Sequence, residues 1–545
     1  MTPRRLAPGL ALGSVLVVAA FLLFTNLDDR YLWDDEAENA LLARSILEFG
    51  LPIARAGGQP ISALCGYDAD QNYLWTYHPW LPMYLTAASF KMLGVSTFAA
   101  RLPFALLGEL AVLSLYLVSR DLFGDRAVAL LAAAFLALSV PFLLHARQSR
   151  YYAVTVFAAI WMIHFYVGAL HRRRGAFVGL VAASTIMFHA NHPMFVVMFV
   201  SLAAAAPCLR VDRALLRPLP AAAVTLVVNA TWVAIYRGGW LLAFATRGET
   251  SVSPVLRTIW SFHYYVLRVD LFALPLVLLL ALALWLVGPG RAEIASRRFR
   301  ACAFAVVLST VFLGCVSVLP ATFFRYIVSV LPALAMIQAY VVVTVAGWWP
   351  ARVWQPAGVA LALLLAGTDA LHGWTTFAVG KVTSPWQSLG SPLAHYVREL
   401  RDDFVGPIET LVTRLRREAK PGDTIFISYG DLPLRFYTDL RVYGGHSCES
   451  PPPRPPDWLV VRFFLRFDNP SPGTREDIAR MRAYVSHIPW HQYERIDLPT
   501  VDIVWENIPE PGWHHFRMPR EGPRLTLWKR VGSGAIGASR ASSSK

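Results

Sequence analysis

Three acids in a row, Asp34, Asp35 and Glu36, follow the first apolar run of the chain, inside the stretch WDDEAENALLARSILEFG from Trp33 to Gly50. Two kinds of chemistry fit them. One is local. With Asp35 as N-cap, Glu38 falls at N3 and completes an Asp-x-x-Glu capping box. Leu42, Ile46 and Phe49 then share one helical stripe, and Gly50-Leu51-Pro52 ends an amphipathic helix lying on a membrane. The other is catalytic. A carboxylate at a helix N-terminus is held ionised by backbone N–H groups and the helix dipole. At neutral pH it is ready to take a proton from an incoming hydroxyl. The two readings are compatible, since a capping carboxylate keeps a second oxygen. Asp35 is the first candidate for a base, with Asp34 and Glu36 behind it.

Composition says what must position these acids. Of 545 residues 55% are hydrophobic and 16% charged, and mean hydropathy is +0.44. Soluble globular chains are rarely this apolar, and apolar runs of about 17–25 residues are the signature of spanning helices. The net charge of +14 sits in short basic loops between those runs, which points to cytoplasmic loops and away from nucleic acid. After MTPRR comes a run from about 10 to 24 without a small-x-small cleavage site, read as an uncleaved first span. Further runs lie near 103–119, 127–144, 153–170, 175–190, 193–209, 218–236, 271–288, 301–319, 327–348 and 354–373. Every second loop is basic, which puts the N-terminus in the cytoplasm and leaves 26–102, 145–152, the turn near 191, 237–270, 320–326 and everything after about 375 on the other side. The stretch 79–94, short and carrying Pro79, Pro82 and Lys91, is read as a juxtamembrane helix, because a span there would reverse every later loop.

The fold class expected is therefore a polytopic α-helical membrane protein of about eleven spans with a small C-terminal α/β domain. The boundaries are 1–374 for the membrane module, 375–394 for a linker, 395–531 for an extracytoplasmic α/β domain and 532–545 for a disordered tail. In that domain TIFIS, DWLVV, YERID and RLTLWKR read as strands, and the segments from 395, 431 and 475 as helices. None of the five cysteines forms a zinc-spaced group; Cys65 and Cys448 fall on the same outer side, and the reading is that they stay unpaired. His189 and His192, three apart, lack a third metal ligand and are read as lining a pocket or ending a helix. Trp260, Tyr264 and Tyr265 fit either an acceptor groove or an aromatic membrane belt. Trp-His-His at 513–515 reads as a surface loop.

The blocks WDDEAENALLARSIL, HPWLPMYLTAASFKMLGVSTFAARLPFALLGELAVLSLYLVSRDLFG and RYIVSVLPALAMI, in this order, resemble the integral-membrane glycosyltransferases of the GT-C superfamily. The likeness is to family 39-type enzymes, the group of the protein O-mannosyltransferases and the lipid A aminoarabinose transferase, and covers about residues 10–350. It implies transfer of a hexosyl or pentosyl group from a polyprenyl-phosphate carrier to a lipid, glycan or protein hydroxyl. That transfer takes place on the non-cytoplasmic face of a bacterial inner membrane, usually with inversion and with no metal. The family's Asp-Glu pair falls on Asp35 and Glu36, its basic or His residue before proline on His78, and its Arg-Tyr before a late span on Arg325 and Tyr326. An arginine there is suited to the carrier phosphate, and equally to snorkelling at the interface. Where many relatives carry a second Asp, this chain has HARQSRYY; Arg147 and Arg150 there bind phosphate or sugar, or anchor the interface. The rival readings are a transporter or flippase for a lipid-linked glycan, and a non-catalytic assembly subunit.

Overall fold

The computed structural model describes residues 3–209, 215–236, 253–268, 290–319, 322–347, 390–449, 454–463, 475–510 and 513–531, with scattered positions between 356 and 369. Among them the helices Thr97–Phe123, Tyr152–Leu170, His192–Leu209 and Arg297–Ser317 are long and apolar enough to cross a membrane. Two bent pairs bring this to six: Arg126–Leu138 with Val140–Ala146, and Leu219–Val228 with Ala230–Tyr236. Gly9–Phe24, Ala176–Ala190 and Val328–Thr344 are shorter apolar helices. The expected run 271–288, most of 354–373, most of the linker and the tail after 531 lie outside the described residues. The stretch read as juxtamembrane forms the helix Leu81–Leu93, with a proline in its first turn where no N–H is needed.

The helix that carries the acids runs from Asp34 to Phe49 and ends on Gly50 at φ 73°. It is not the amphipathic surface helix expected from its stripe. Eleven of its residues are buried, Asp34, Glu36, Glu38 and Asn39 among them, because it is wedged between Leu81–Leu93 and the later helix Asp431–Tyr437. Asn39 donates to Thr86 and Ser149 inside that wedge.

Beyond residue 390 the chain builds a five-stranded sheet in the order Arg441–Gly444, Thr424–Ile427, Trp458–Val460, Arg524–Arg530, Tyr493–Val501. The first three strands are parallel and the last two antiparallel to their neighbours. Alternate side chains go to opposite faces. Ile425, Ile427, Val442 and Val460 pack with Leu411, Val412 and Leu415 of the helix Pro407–Glu418, while Phe426, Tyr443 and Leu459 pack with Ile478 and Met481 of Arg475–Ser486. Arg441–Gly444 is a strand missing from the sequence reading.

This unit is fastened to the first loop. The Tyr437 hydroxyl accepts from the Leu32 N–H at 2.9 Å and lies 2.7 Å from Thr97 Oγ1. Gln148 donates to the Asn507 carbonyl at 2.7 Å. Cys65 and Cys448 are joined by a disulfide, against the expectation of free thiols. What spacing could not reveal is that a turn of the C-terminal unit sits directly on the first loop, where the Cys65 N–H reaches the His446 carbonyl at 3.1 Å.

Glu36 and Arg101 make a buried ion pair beneath the acidic turn. Arg101 Nε and Nη2 donate to the two Glu36 oxygens at 2.8 and 2.7 Å, and both side chains are almost wholly buried. Arg101 also holds the carbonyls of Leu27 and Arg30, which ties the exit of the first helix to the acidic turn. Removing one partner of such a pair leaves a buried charge alone and costs about 3–5 kcal/mol. Arg101→Met is expected to lower the thermal midpoint of the detergent-solubilised protein markedly. An unchanged midpoint would mean the pair contributes nothing to the fold.

Candidate active site

The helix starts one residue before the expected cap. Trp33 takes the N-cap position with extended backbone and makes no side-chain cap bond; its indole N–H instead donates to Gln148 at 2.8 Å. The three acids therefore occupy the first turn, and at 3.6 residues per turn their side chains point about 100° apart. Each meets a different partner. The proposed capping box does not form, because Glu38 turns away to Arg150.

Asp35 faces a cavity of about 510 Å³. Its Oδ2 is 2.7 Å from Arg325 Nη1 and 3.1 Å from Arg150 Nη2. Burial pushes this carboxyl up, but the two guanidiniums outweigh it and hold Asp35 below its ordinary value. Its side chain keeps 19% of its surface exposed, so it remains open to the cavity. Arg325 is packed over the rings of Phe323, at 4.2 Å, and Tyr326, at 6.0 Å. Its backbone N–H and that of Phe324 donate to Glu510. Arg150 is shared: Nη1 donates to Glu38 at 2.7 Å, and Nη2 reaches His78 Nε2 at 3.4 Å. An arginine only donates, so His78 accepts at Nε2 and carries its proton on Nδ1. Burial, with Arg150 beside it, pushes His78 well below its ordinary value and keeps it neutral.

Glu38 shows what sharing does. Burial pushes its carboxyl up to about 8; Arg150 offsets part of this, and the neighbouring Asp35 charge pushes it up again. A carboxyl whose folded pKa lies above its unfolded value of 4.5 stabilises the fold below that value and loses its contribution as pH rises towards 8. Asp35 has the opposite sign: its contribution is present above its unfolded value of 3.8 and is lost as pH falls through its depressed folded pKa. Wild type and Glu38→Gln share every other titrating group, so between pH 5 and 8 the thermal midpoint of wild type is expected to fall more steeply with pH than that of Glu38→Gln. Parallel curves would show Glu38 ionised throughout that range.

The cavity gathers Asp34, Asp35, His78, Arg150, Arg325 and Tyr326 of the sequence candidates, together with His192 and Tyr264. Two candidates do not reach it. All of Glu36 is engaged: besides Arg101, the Ser149 N–H and the Asn507 amide donate to it. Arg147 turns the other way, to the carbonyls of Leu22 and Asn26 and the Tyr396 hydroxyl, where it pins the first helix. Its guanidinium is occupied by these carbonyls and the Tyr396 hydroxyl, away from the Asp35 cavity. His189 bonds Asn229 at 2.8 Å, and Trp260 is exposed while Tyr264 lines the cavity. Among the described residues no three His, Cys, Asp or Glu side chains come together as a metal site.

Sequence reasoning missed the lid of the cavity. Tyr429, His446, Trp505, Glu510 and Trp513 all belong to the C-terminal unit and line it. The segment 513–515, expected at the surface, is docked: His514 is buried and bonds Glu399 at 2.8 Å, and the His515 carbonyl accepts from Arg30. The two glycines before His446 were the one local signal of a built turn.

Residues 77–236 match the family model described as dolichyl-phosphate-mannose-protein mannosyltransferase. The chain has the fold of ArnT from Cupriavidus metallidurans. Against the apo crystal structure the TM-score is 0.54 at 16% identity, covering 97% of this chain and 98% of that one. Against the crystal structure bound to undecaprenyl phosphate it is 0.51 at 16% identity, covering 95% and 98%. No curated protein sequence matches. That family match lies inside an ArnT-like fold, so the chain shares the fold of ArnT and resembles the dolichyl-phosphate-mannose-protein mannosyltransferases over residues 77–236.

Proposed function

We propose that this protein moves a hexosyl or pentosyl group from a polyprenyl-phosphate carrier to a hydroxyl acceptor on the non-cytoplasmic face of the membrane, with inversion. The observation that carries the reading is the Asp35 carboxylate in the cavity, contacted by Arg325 and Arg150. The matched family is named for a dolichyl-phosphate sugar and the ArnT structure holds undecaprenyl phosphate, which supports a polyprenyl-phosphate carrier.

The residues suggest a single displacement. The acceptor oxygen attacks the anomeric carbon while its proton passes to Asp35. The bond from that carbon to the phosphate oxygen breaks, and the carrier phosphate leaves with the electron pair. Arg325 stabilises the charge that gathers on it. Paired with Arg325, Asp35 is a weak base. The donor's phosphodiester anion competes for that guanidinium, so the arriving donor loosens the pair and makes Asp35 more basic when the acceptor needs it. Neutral His78 is placed to orient a hydroxyl through Nδ1. No step calls for a metal. The topology we favour has about eleven spans, the N-terminus in the cytoplasm of a bacterial inner membrane, and the cavity and C-terminal unit outside.

The test is transfer of labelled sugar from a polyprenyl-phosphate-linked pool in membranes with and without the protein. Release of bare carrier together with labelled acceptor supports the enzyme. Label that crosses the bilayer still attached to its carrier would instead mark a transporter.

A further inference from the structure

Asp34 has been left without work. It is buried, with 4% of its surface exposed, and lines the same cavity as Asp35. One of its oxygens takes a hydrogen bond from the Tyr429 hydroxyl, while Oδ1 is buried with no hydrogen-bond partner. Beside it stands His446, whose ring lies 5.2 Å from that of Tyr429 and whose Nδ1 and Nε2 are both buried and equally without partners. Each unpaired buried polar atom is costly. Three of them, on two side chains of one cavity wall, mark a place built to be completed by a ligand.

The backbone supports this. The His446 N–H donates to Asp431 Oδ1 at 2.7 Å, and its carbonyl accepts from Cys65. Ser447 donates to Asp431 Oδ2 through both N–H and Oγ, and Cys448 is tied by the disulfide. Gly445 has φ 60°, and a Cβ there would collide with the Asp431 carboxylate. The main chain of the turn is thus pinned on every side, while the imidazole it presents makes no bond.

The wall also has its own chemistry. A carboxylate accepts, and an imidazole can present a donor and an acceptor on its two ring nitrogens. Such a set repels phosphate and suits adjacent hydroxyls, which donate and accept together. The cationic part of the lining is Arg150 and Arg325, at Asp35. We infer that Asp34 and His446 form the subsite that holds the hydroxyls of the donor's sugar ring, with the carrier phosphate on Arg325. This rests on the polyprenyl-phosphate reading above and names the part of the protein that recognises the glycosyl group. Burial pushes the Asp34 carboxyl up from its ordinary value, with the Tyr429 hydrogen bond pulling it back; a hydroxyl donated to Oδ1 would stabilise the ionised form further.

The experiment uses the full chain in lipid nanodiscs. The probes are bare undecaprenyl phosphate and undecaprenyl phosphates bearing mannose, glucose or arabinose, and the readout is the ratio of sugar-linked to bare affinity. Wild type is expected to prefer at least one sugar-linked form. His446→Ala and Asp34→Asn should each cut that preference about tenfold, the effect of one lost buried hydrogen bond, with bare-carrier affinity within twofold of wild type. His446→Gln, which keeps a donor and an acceptor, should recover part of it. A preference unchanged in both variants, or no preference in wild type, overturns the subsite. Failure of wild type to bind even the bare carrier overturns the donor assignment itself, and the subsite with it.

Discussion

Asp35→Asn is expected to lower kcat for sugar transfer about 10³-fold, within the range a positioned general base contributes. Asparagine fits the same helical position but cannot take the acceptor's proton. A simple loss of folding is distinguishable, because carrier binding should survive. With the carboxylate gone, Arg325 and Arg150 lose the group that neutralises them at 2.7 and 3.1 Å. Bare undecaprenyl phosphate should therefore bind the variant at least as tightly as wild type. The combination to look for is lost turnover with retained or improved carrier affinity, measured at matched protein levels. Turnover above about a tenth of wild type would remove Asp35 from the base role.

Arg325→Ala should act on both sides of the reaction. It removes the cation nearest Asp35 and the proposed partner of the carrier phosphate, so kcat/KM for the donor is expected to fall about 10²–10³-fold. Lysine at this position restores charge without the planar fork and should recover only part of the loss. The pH profile separates this from a packing defect. Arg325 is one of the two charges that hold the Asp35 carboxyl down. Without it the carboxyl titrates at higher pH, so the acid limb of the residual activity should move upward. An unshifted limb with full loss of activity would mean that Arg325 acts only on the donor.

The helices at the described apolar runs, the helix at 81–93 and four of the five strands were legible because each is a local pattern: run length, alternation, a proline in a first turn. The chemistry of the acids was only half legible. Their types named a base, but their roles depend on Arg101, Arg150 and Arg325, which lie 65, 112 and 290 positions away from the carboxylates they meet. The capping box misled for the same reason. Gln148 holds the Trp33 indole and Arg150 claims Glu38, so tertiary partners overrode a good local motif. Arg147 and Arg150 are three apart in one short loop, yet one serves the fold and the other the cavity, and nothing in HARQSRYY distinguishes them. The strand Arg441–Gly444 escaped because four residues gain their identity from the parallel neighbour Thr424–Ile427.

The disulfide between Cys65 and Cys448 spans 383 residues of chain, and this sets an order of events during biosynthesis. The acidic turn emerges among the first fifty residues, but its cavity is walled by Tyr429, His446, Glu510 and Trp513. While the later helices are being inserted, a half-made chain holds its carboxylate and arginines in an unroofed groove. Competence arrives only when the last part of the polypeptide has been delivered and its thiol has found the one waiting near the beginning. On the function proposed above, a chain assembled in this way has no closed site for carrier-linked sugar until Cys65 and Cys448 have been brought together.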